Sequence, residues 1–208
     1  TMEVKIALVK RLIDECKFSA VLFESPVYEF LNFEQAVAAG TSSKQQLSQA
    51  IGGLWSSMTP MASFISYLHS QAIDGKVKLG GIDAQFSANQ PFSQKTLPTR
   101  LSIYLDAKKQ KACETELYRY LNWQYNKENR YDDATKKRIN VCVSEIKSAI
   151  HQRTSADANY INDKFMIDNF YRYQQFANGH YFNLRDKAMA DNVEWHLSKL
   201  PENSKVIV

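Results

Sequence analysis

The sequence predicts an α/β fold in which an open parallel sheet of three strands carries a large helical insertion between its second and third strands. Three observations predict it. "FSAVLFES" is a short apolar run without polar alternation, the mark of a strand covered on both faces, and "GKVKLGGIDAQ" and "SKVIV" read as the second and third strands. Helical spacing separates the first two strands, the order that builds parallel pairing rather than hairpins. From Leu97 to Leu200 nearly every stretch has helical period. Parallel, adjacent strands are therefore expected near residues 18–24, 77–83 and 204–208, in a single α/β domain over residues 1–208 with a helical insert at about 97–200.

In chain order, "MEVKIALVKRLIDEC" repeats Ile6, Val9, Ile13 and Cys16 at helical intervals and forms the first helix. The first strand follows at once. Ser25 and Pro26 supply an N-cap and a first-turn residue for the next helix, which Gly40 ends. "SSKQ" at 42–45 has the form of a capping box, and Thr59-Pro60 starts a helix that runs through "MASFISYLHSQA". Gly80 and Gly81 punctuate the second strand, and Pro91 and Pro98 mark the loop into the insert. Its helices are "ACETELYRYLNWQYN", "DDATKKRINVCVSEIKSAIHQR", "DANYINDKFMIDNFYRYQQFANG" and "FNLRDKAMADNVEW". The chain opens in mid-helix and stops in mid-strand, which predicts that both ends are cuts in a longer protein.

Composition bounds the partners. With 44% apolar and 23% charged residues over 208 positions, the chain can bury one sizeable core, with room for a helical annex. No run approaches the roughly 18 to 20 apolar residues of a membrane helix, so no membrane partner is expected. The net charge of +4 is mild, and "AKKQK" and "TKKR" are short runs flanked by acids, so no nucleic-acid partner is expected either. Cys16, Cys113 and Cys142 are odd in number and widely spaced. That pattern suggests neither a disulfide framework nor a zinc site, and buried free thiols in a reducing, cytoplasmic compartment are the simplest expectation, with export left open. No ligand spacing argues for a metal or another cofactor, and the sequence leaves the oligomeric state open.

In an open α/β sheet, ligands bind beyond the carboxyl ends of the strands, where loops and helix N-termini converge. Glu24 ends the first strand and Asp83 the second, so two carboxylates are expected at one mouth. Plainer roles stay open: Glu24 beside the dipole of the next helix, Asp83 as a turn residue. On the last helix, Arg185, Met189, Asn192 and His196 fall on one stripe at helical spacing. If the insert folds back over the sheet edge, that stripe brings Arg185, Asp186 and Asn192 to the same mouth. An arginine cannot shed its charge, so Arg185 is expected to face the anion that the topology offers, Glu24. Carboxylates, a guanidinium and an amide suit a site that stabilises an anion and orients a water, but a base with pKa near neutral is missing. His69, His151, His180 and His196 all lie away from the strand ends. Each is read as a surface or packing residue, with His196 the best outsider because it shares the Arg185 stripe.

"TMEVKIALVKRLIDECKFSAVLFES", "GGIDAQ", "YFNLRDKAMADNVEW" and "SKVIV" resemble, in order and spacing, successive blocks of the erythromycin esterase family, which also includes proteins labelled succinoglycan biosynthesis. The resemblance covers essentially the whole chain, and "RDxxMAxN" at 185–192 is its most specific block. It implies a bacterial hydrolase that opens ester or lactone bonds with an activated water, with macrolides and antibiotic resistance as the associated substrate and role. It places Glu24 and Arg185 in the active-site cleft; Asp83, brought there by the topology, and Asp186 and Asn192, by the helical stripe, are read as binding substrate or holding those two. Three departures follow. The family's "GExxHG" stretch would precede Thr1, its "NxH" stretch would follow Val208, and an arginine carried by many members in the first helix falls at Ala7. The histidines credited with activating water are thus expected outside this chain, which alone is not expected to hydrolyse anything.

A different class of function rests on the aromatic-rich helix. Met166, Phe170, Tyr173 and Ala177 lie on one stripe that could wall a cavity for a large apolar ligand such as a macrocycle or a porphyrin, or could simply be core.

Overall fold

The apolar run at residues 20–23 becomes the middle of a sheet because it has no polar face to give to water. In the computed structural model, which describes residues 2–177 and 182–208, β1 (Ala20–Pro26) lies between β2 (Lys78–Asp83) and β3 (Val206–Ile207). Both pairings are parallel, with Ala20 opposite Lys78 and Val206, as the sequence predicts. The helices are α1 (Met2–Asp14), α2 (Val27–Ala38), α3 (Lys44–Ile51), α4 (Gly53–Ser56), α5 (Thr59–Ile73), α6 (Leu97–Ser102), α7 (Ala107–Leu121), α8 (Asp133–His151), α9 (Ala158–Ala177) and α10 (Phe182–Leu197). A π-helical turn at Phe92–Thr96 precedes α6. No described helix is long and apolar enough to cross a membrane.

The chain falls into two compact units, one holding residues up to Asp83 with Ser87–Gln90 and Lys187–Val208, the other Ala84–Phe86 with Pro91–Asp186. In the first, α1, α2, α3 and α5 bury Ile6, Ile13, Phe30, Phe33, Leu47, Phe64 and Leu68 against Val21 and Leu79 of the sheet. Each such side chain contributes about 1.5–3 kcal/mol of transfer free energy, so this packing holds the strands in place. The capping box forms one residue later than "SSKQ" predicts. Ser43 Oγ accepts from the Gln46 amide at 3.2 Å, and Gln46 Oε1 accepts from the Ser43 amide at 2.8 Å. Thr59-Pro60 starts α5 as expected.

In the second unit, Met166 and Phe170 of α9 are fully buried, and Phe170 packs edge-on against Phe86 with ring centroids 4.7 Å apart. These members of the aromatic stripe are core, and Ala177 at its far end is exposed. Asp163, also buried on α9, accepts from Arg100 Nε and from the Tyr104 hydroxyl. Burial pushes its carboxyl above the usual range even though both partners pull the other way.

One expectation is overturned here. Cys113 and Cys142 are not free thiols but a disulfide, with Cα atoms 5.4 Å apart, joining α7 to α8. Both sit on the buried faces of their helices, so helix packing across a separation of 29 residues brings them together where sequence spacing gives no signal. Cys16 is free as expected, but just beyond the end of α1 it is exposed rather than buried.

Candidate active site

The central strand does not run regularly to its end. Phe23 pairs with Gly81 and Pro26 with Asp83, so Glu24 and Ser25 together face Ile82 alone. Two residues opposite one is a β-bulge, a device that re-aims side chains and recurs next to active sites. Its effect is visible in burial. Glu24 is exposed at the carboxyl end of the central strand, while Ser25 beside it is buried. Strand continuation through Pro26 also changes the expected helix start. Ser25 does not cap α2, and its hydroxyl donates instead to the Ile51 carbonyl at the end of α3, at 2.9 Å. Asp83, predicted at the same mouth, ends the neighbouring strand and is buried, with 6% of its surface exposed.

Two adjacent glycines let the strands close around this bulge. A Cβ on Gly81 would lie 2.5 and 2.6 Å from the carbonyl oxygens of Ser25 and Pro26, so the bulged backbone leaves no room for a side chain there. A Cβ on Gly80 would lie 2.5 Å from Cε1 of His196. That histidine and Asn192 account for the polar stripe of the last helix. His196 Nε2 donates to the Gly81 carbonyl at 2.9 Å, and Asn192 Nδ2 donates to the Ile82 carbonyl at 2.8 Å. Side-chain donors of α10 thus satisfy consecutive carbonyls of β2, the residues leading directly into Asp83. Burial holds the His196 imidazole below its ordinary pKa, against the Gly81 hydrogen bond and the Glu34 charge, which favour the cation.

Arg185 is half-buried in the first turn of α10, in the second unit, and Asp186 next to it is exposed. Met189 is half-buried, and Ala188 rather than Met189 shares the fully buried face with Asn192. His69 Nε2 lies 3.3 Å from Ser42 Oγ, and His151 Nε2 lies 3.0 Å from Asp168 Oδ1. With His196 bound to Gly81, each described histidine is engaged in structure. His180 lies outside the described residues. Glu29, which sequence reading left unassigned, is 3% exposed in the first turn of α2, five residues beyond Glu24. An acid that close after a strand end is the signal that would have found it. Among the described residues, no group of three His, Cys, Asp or Glu is placed to hold a metal ion.

A parallel α/β sheet whose central strand ends in a bulge with an exposed carboxylate has the ground plan of proteins that take ligands at the carboxyl edge of the sheet. The erythromycin esterase profile matches residues 13–208, and the chain belongs to that family. Its fold is similar to three solved structures. A Bacillus cereus protein superposes with a TM-score of 0.64 at 15% identity, over 98% of this chain and 52% of its own. A succinoglycan biosynthesis protein gives 0.63 at 13%, over 98% and 51%, and a mutant of the erythromycin esterase EreC in its open conformation gives 0.58 at 11%, over 97% and 55%. The chain therefore spans about half the length of the structures it matches. A search of curated proteins found no match.

Proposed function

We propose that this chain is part of a carboxylic ester hydrolase of the erythromycin esterase type, which opens an ester or lactone bond with an activated water. The observation that carries this reading is the bulge, which turns Glu24 outward at the carboxyl end of the central strand while Ser25 beside it is buried. An exposed carboxylate at that edge can be reached from solvent. In this reading Glu24 accepts a hydrogen bond from the attacking water or from a protonated base. Arg185 holds the negative charge that develops on the carbonyl oxygen, for which a planar fork of N–H donors is suited. Asp83, Asp186 and Asn192 support these two, Asn192 by fixing the end of β2 through Ile82.

As the family resemblance implies, the proton acceptor for the water is assigned to a histidine of the full-length protein outside this chain. Macrolide lactones are the substrate class this reading names first. The Cys113–Cys142 disulfide favours an oxidising compartment over the cytoplasmic one expected from cysteine spacing.

The test is hydrolysis of a panel of esters and macrocyclic lactones by the full-length protein in ¹⁸O-labelled water. The expected result is one labelled oxygen in the product acid from a single turnover. An unchanged panel at high enzyme concentration would refute the reading.

A further inference from the structure

The bulge that exposes Glu24 also anchors an apolar segment. Ser25 Oγ donates to the carbonyl of Ile51, the last residue of α3, and the chain then turns at Gly52 with φ of +93°. On that turn stands α4, a single four-residue helix whose Trp55 and Ser56 amides bond back to the Gly52 carbonyl at 3.2 and 3.0 Å. The side chains here are the wrong kind for a surface turn: Leu54 and Trp55 on α4 are 76% and 42% exposed, and Met58, at the start of α5, is 37% exposed. Three large apolar side chains within five residues are costly to leave in water, and none of them joins the core of this unit. Gly53 has no atom within 4 Å of the place a Cβ would take, so no crowding from neighbouring atoms fixes the segment there.

We propose that Leu54, Trp55 and Met58 form an apolar lip that takes the non-reacting hydrocarbon part of the substrate while its carbonyl lies at Glu24. This rests on the hydrolase reading and adds the element that sets substrate preference. The tether argues for this occupant over others. One hydrogen bond from the residue next to Glu24 fixes the base of the lip at the strand end, so whatever is seated on the lip lies beside that end of the strand. An ester has the matching division, a polar reacting centre joined to an apolar remainder. Binding energy from that remainder is what an enzyme uses to orient the reacting group.

The experiment compares the full-length protein with its Leu54→Ser/Trp55→Ser variant on p-nitrophenyl acetate and p-nitrophenyl octanoate. The ratio of kcat/KM for octanoate over acetate is expected to fall by about tenfold or more in the variant, the scale of one or two methylenes lost from an apolar pocket. An unchanged ratio overturns the lip. A wild-type protein that turns over neither ester sinks the hydrolase reading, and the lip is then judged by calorimetric binding of N-methyloctanamide. Binding by the wild type that the variant loses supports it, and equal binding or none by the wild type overturns it. Trp55 protected from N-bromosuccinimide in the ligand-free full-length protein would also overturn it, because the segment would then be covered by protein.

Discussion

Alanine at Gly80 and at Gly81 should destabilise the protein for two different reasons, and one further substitution separates them. In open strand positions, Gly→Ala is favourable by roughly 0.5–1 kcal/mol. At position 80 the new Cβ would sit 2.5 and 2.7 Å from Cε1 and Nε2 of His196 and 2.9 Å from Leu22 Cδ2. The imidazole must retreat by about 1 Å to reach ordinary contact, which breaks its 2.9 Å bond to the Gly81 carbonyl. Overpacking at about 1–3 kcal/mol and a lost hydrogen bond at about 0.5–1.5 kcal/mol give a net cost of about 2–3 kcal/mol for Gly80→Ala. In a His196→Ala background only the flexible Leu22 end needs to move, so the same substitution should cost under about 1 kcal/mol. At position 81 the clash is with the backbone carbonyls of Ser25 and Pro26, and His196→Ala should give no relief. Urea unfolding of the three single and two double variants reads this directly, with an expected coupling of about 1–2 kcal/mol for the 80/196 pair and none for 81/196. Equal costs for Gly80→Ala in both backgrounds would refute the packing argument.

Further outcomes follow from the same geometry. The folded-state pKa of His196 is depressed, so the unfolded chain takes up the proton first. Its contribution is complete above about pH 6.5 and is lost as pH falls from there through the lower folded value. His196→Gln should flatten that limb of a urea stability profile, and an unchanged limb would contradict the assignment. Reducing Cys113–Cys142, or Cys113→Ser/Cys142→Ser, should cost about 3–4 kcal/mol by loop-closure entropy across 29 residues, read by unfolding with and without reductant. Thiol titration of the denatured, unreduced protein should find one free thiol, Cys16; three would refute the disulfide. In the full-length protein, Arg185→Lys should leave the melting temperature near wild type and remove most of the hydrolysis, because a point charge does not replace the fork. Full activity in that variant would reduce Arg185 to a structural residue.

The first strand was legible because a strand covered on both faces cannot hide its composition: "SAVLF" admits no amphipathic reading. The start of α2 was misread for a local reason. Ser25-Pro26 is chemically a good helix entry, but the strand continues through Pro26, and the Ser25 hydroxyl found the end of α3 instead. The bulge was invisible because it is defined by pairing, two residues of β1 against one of β2, and single-strand patterns carry no record of a partner. The same holds for Cys113 and Cys142, which meet only once α7 and α8 pack. The polar stripe of α10 was recognised as unusual at Asn192 and His196, yet its role needed the strand, since both side chains bond backbone carbonyls, which sequence does not distinguish. Gly80 and Gly81, read as punctuation, owe their identity to that helix and to the bulge.

The measurement that bears most directly on the central claim is kcat/KM of the full-length protein and its Glu24→Gln variant on the best ester or lactone of the panel, with melting temperatures of both. Glu24 is exposed, so the variant should fold with stability within about 0.5 kcal/mol of wild type. Removing its charge should lower kcat/KM by about a hundredfold or more, the scale of a positioned acid or base. A folded Glu24→Gln protein that retains wild-type kcat/KM would contradict the account.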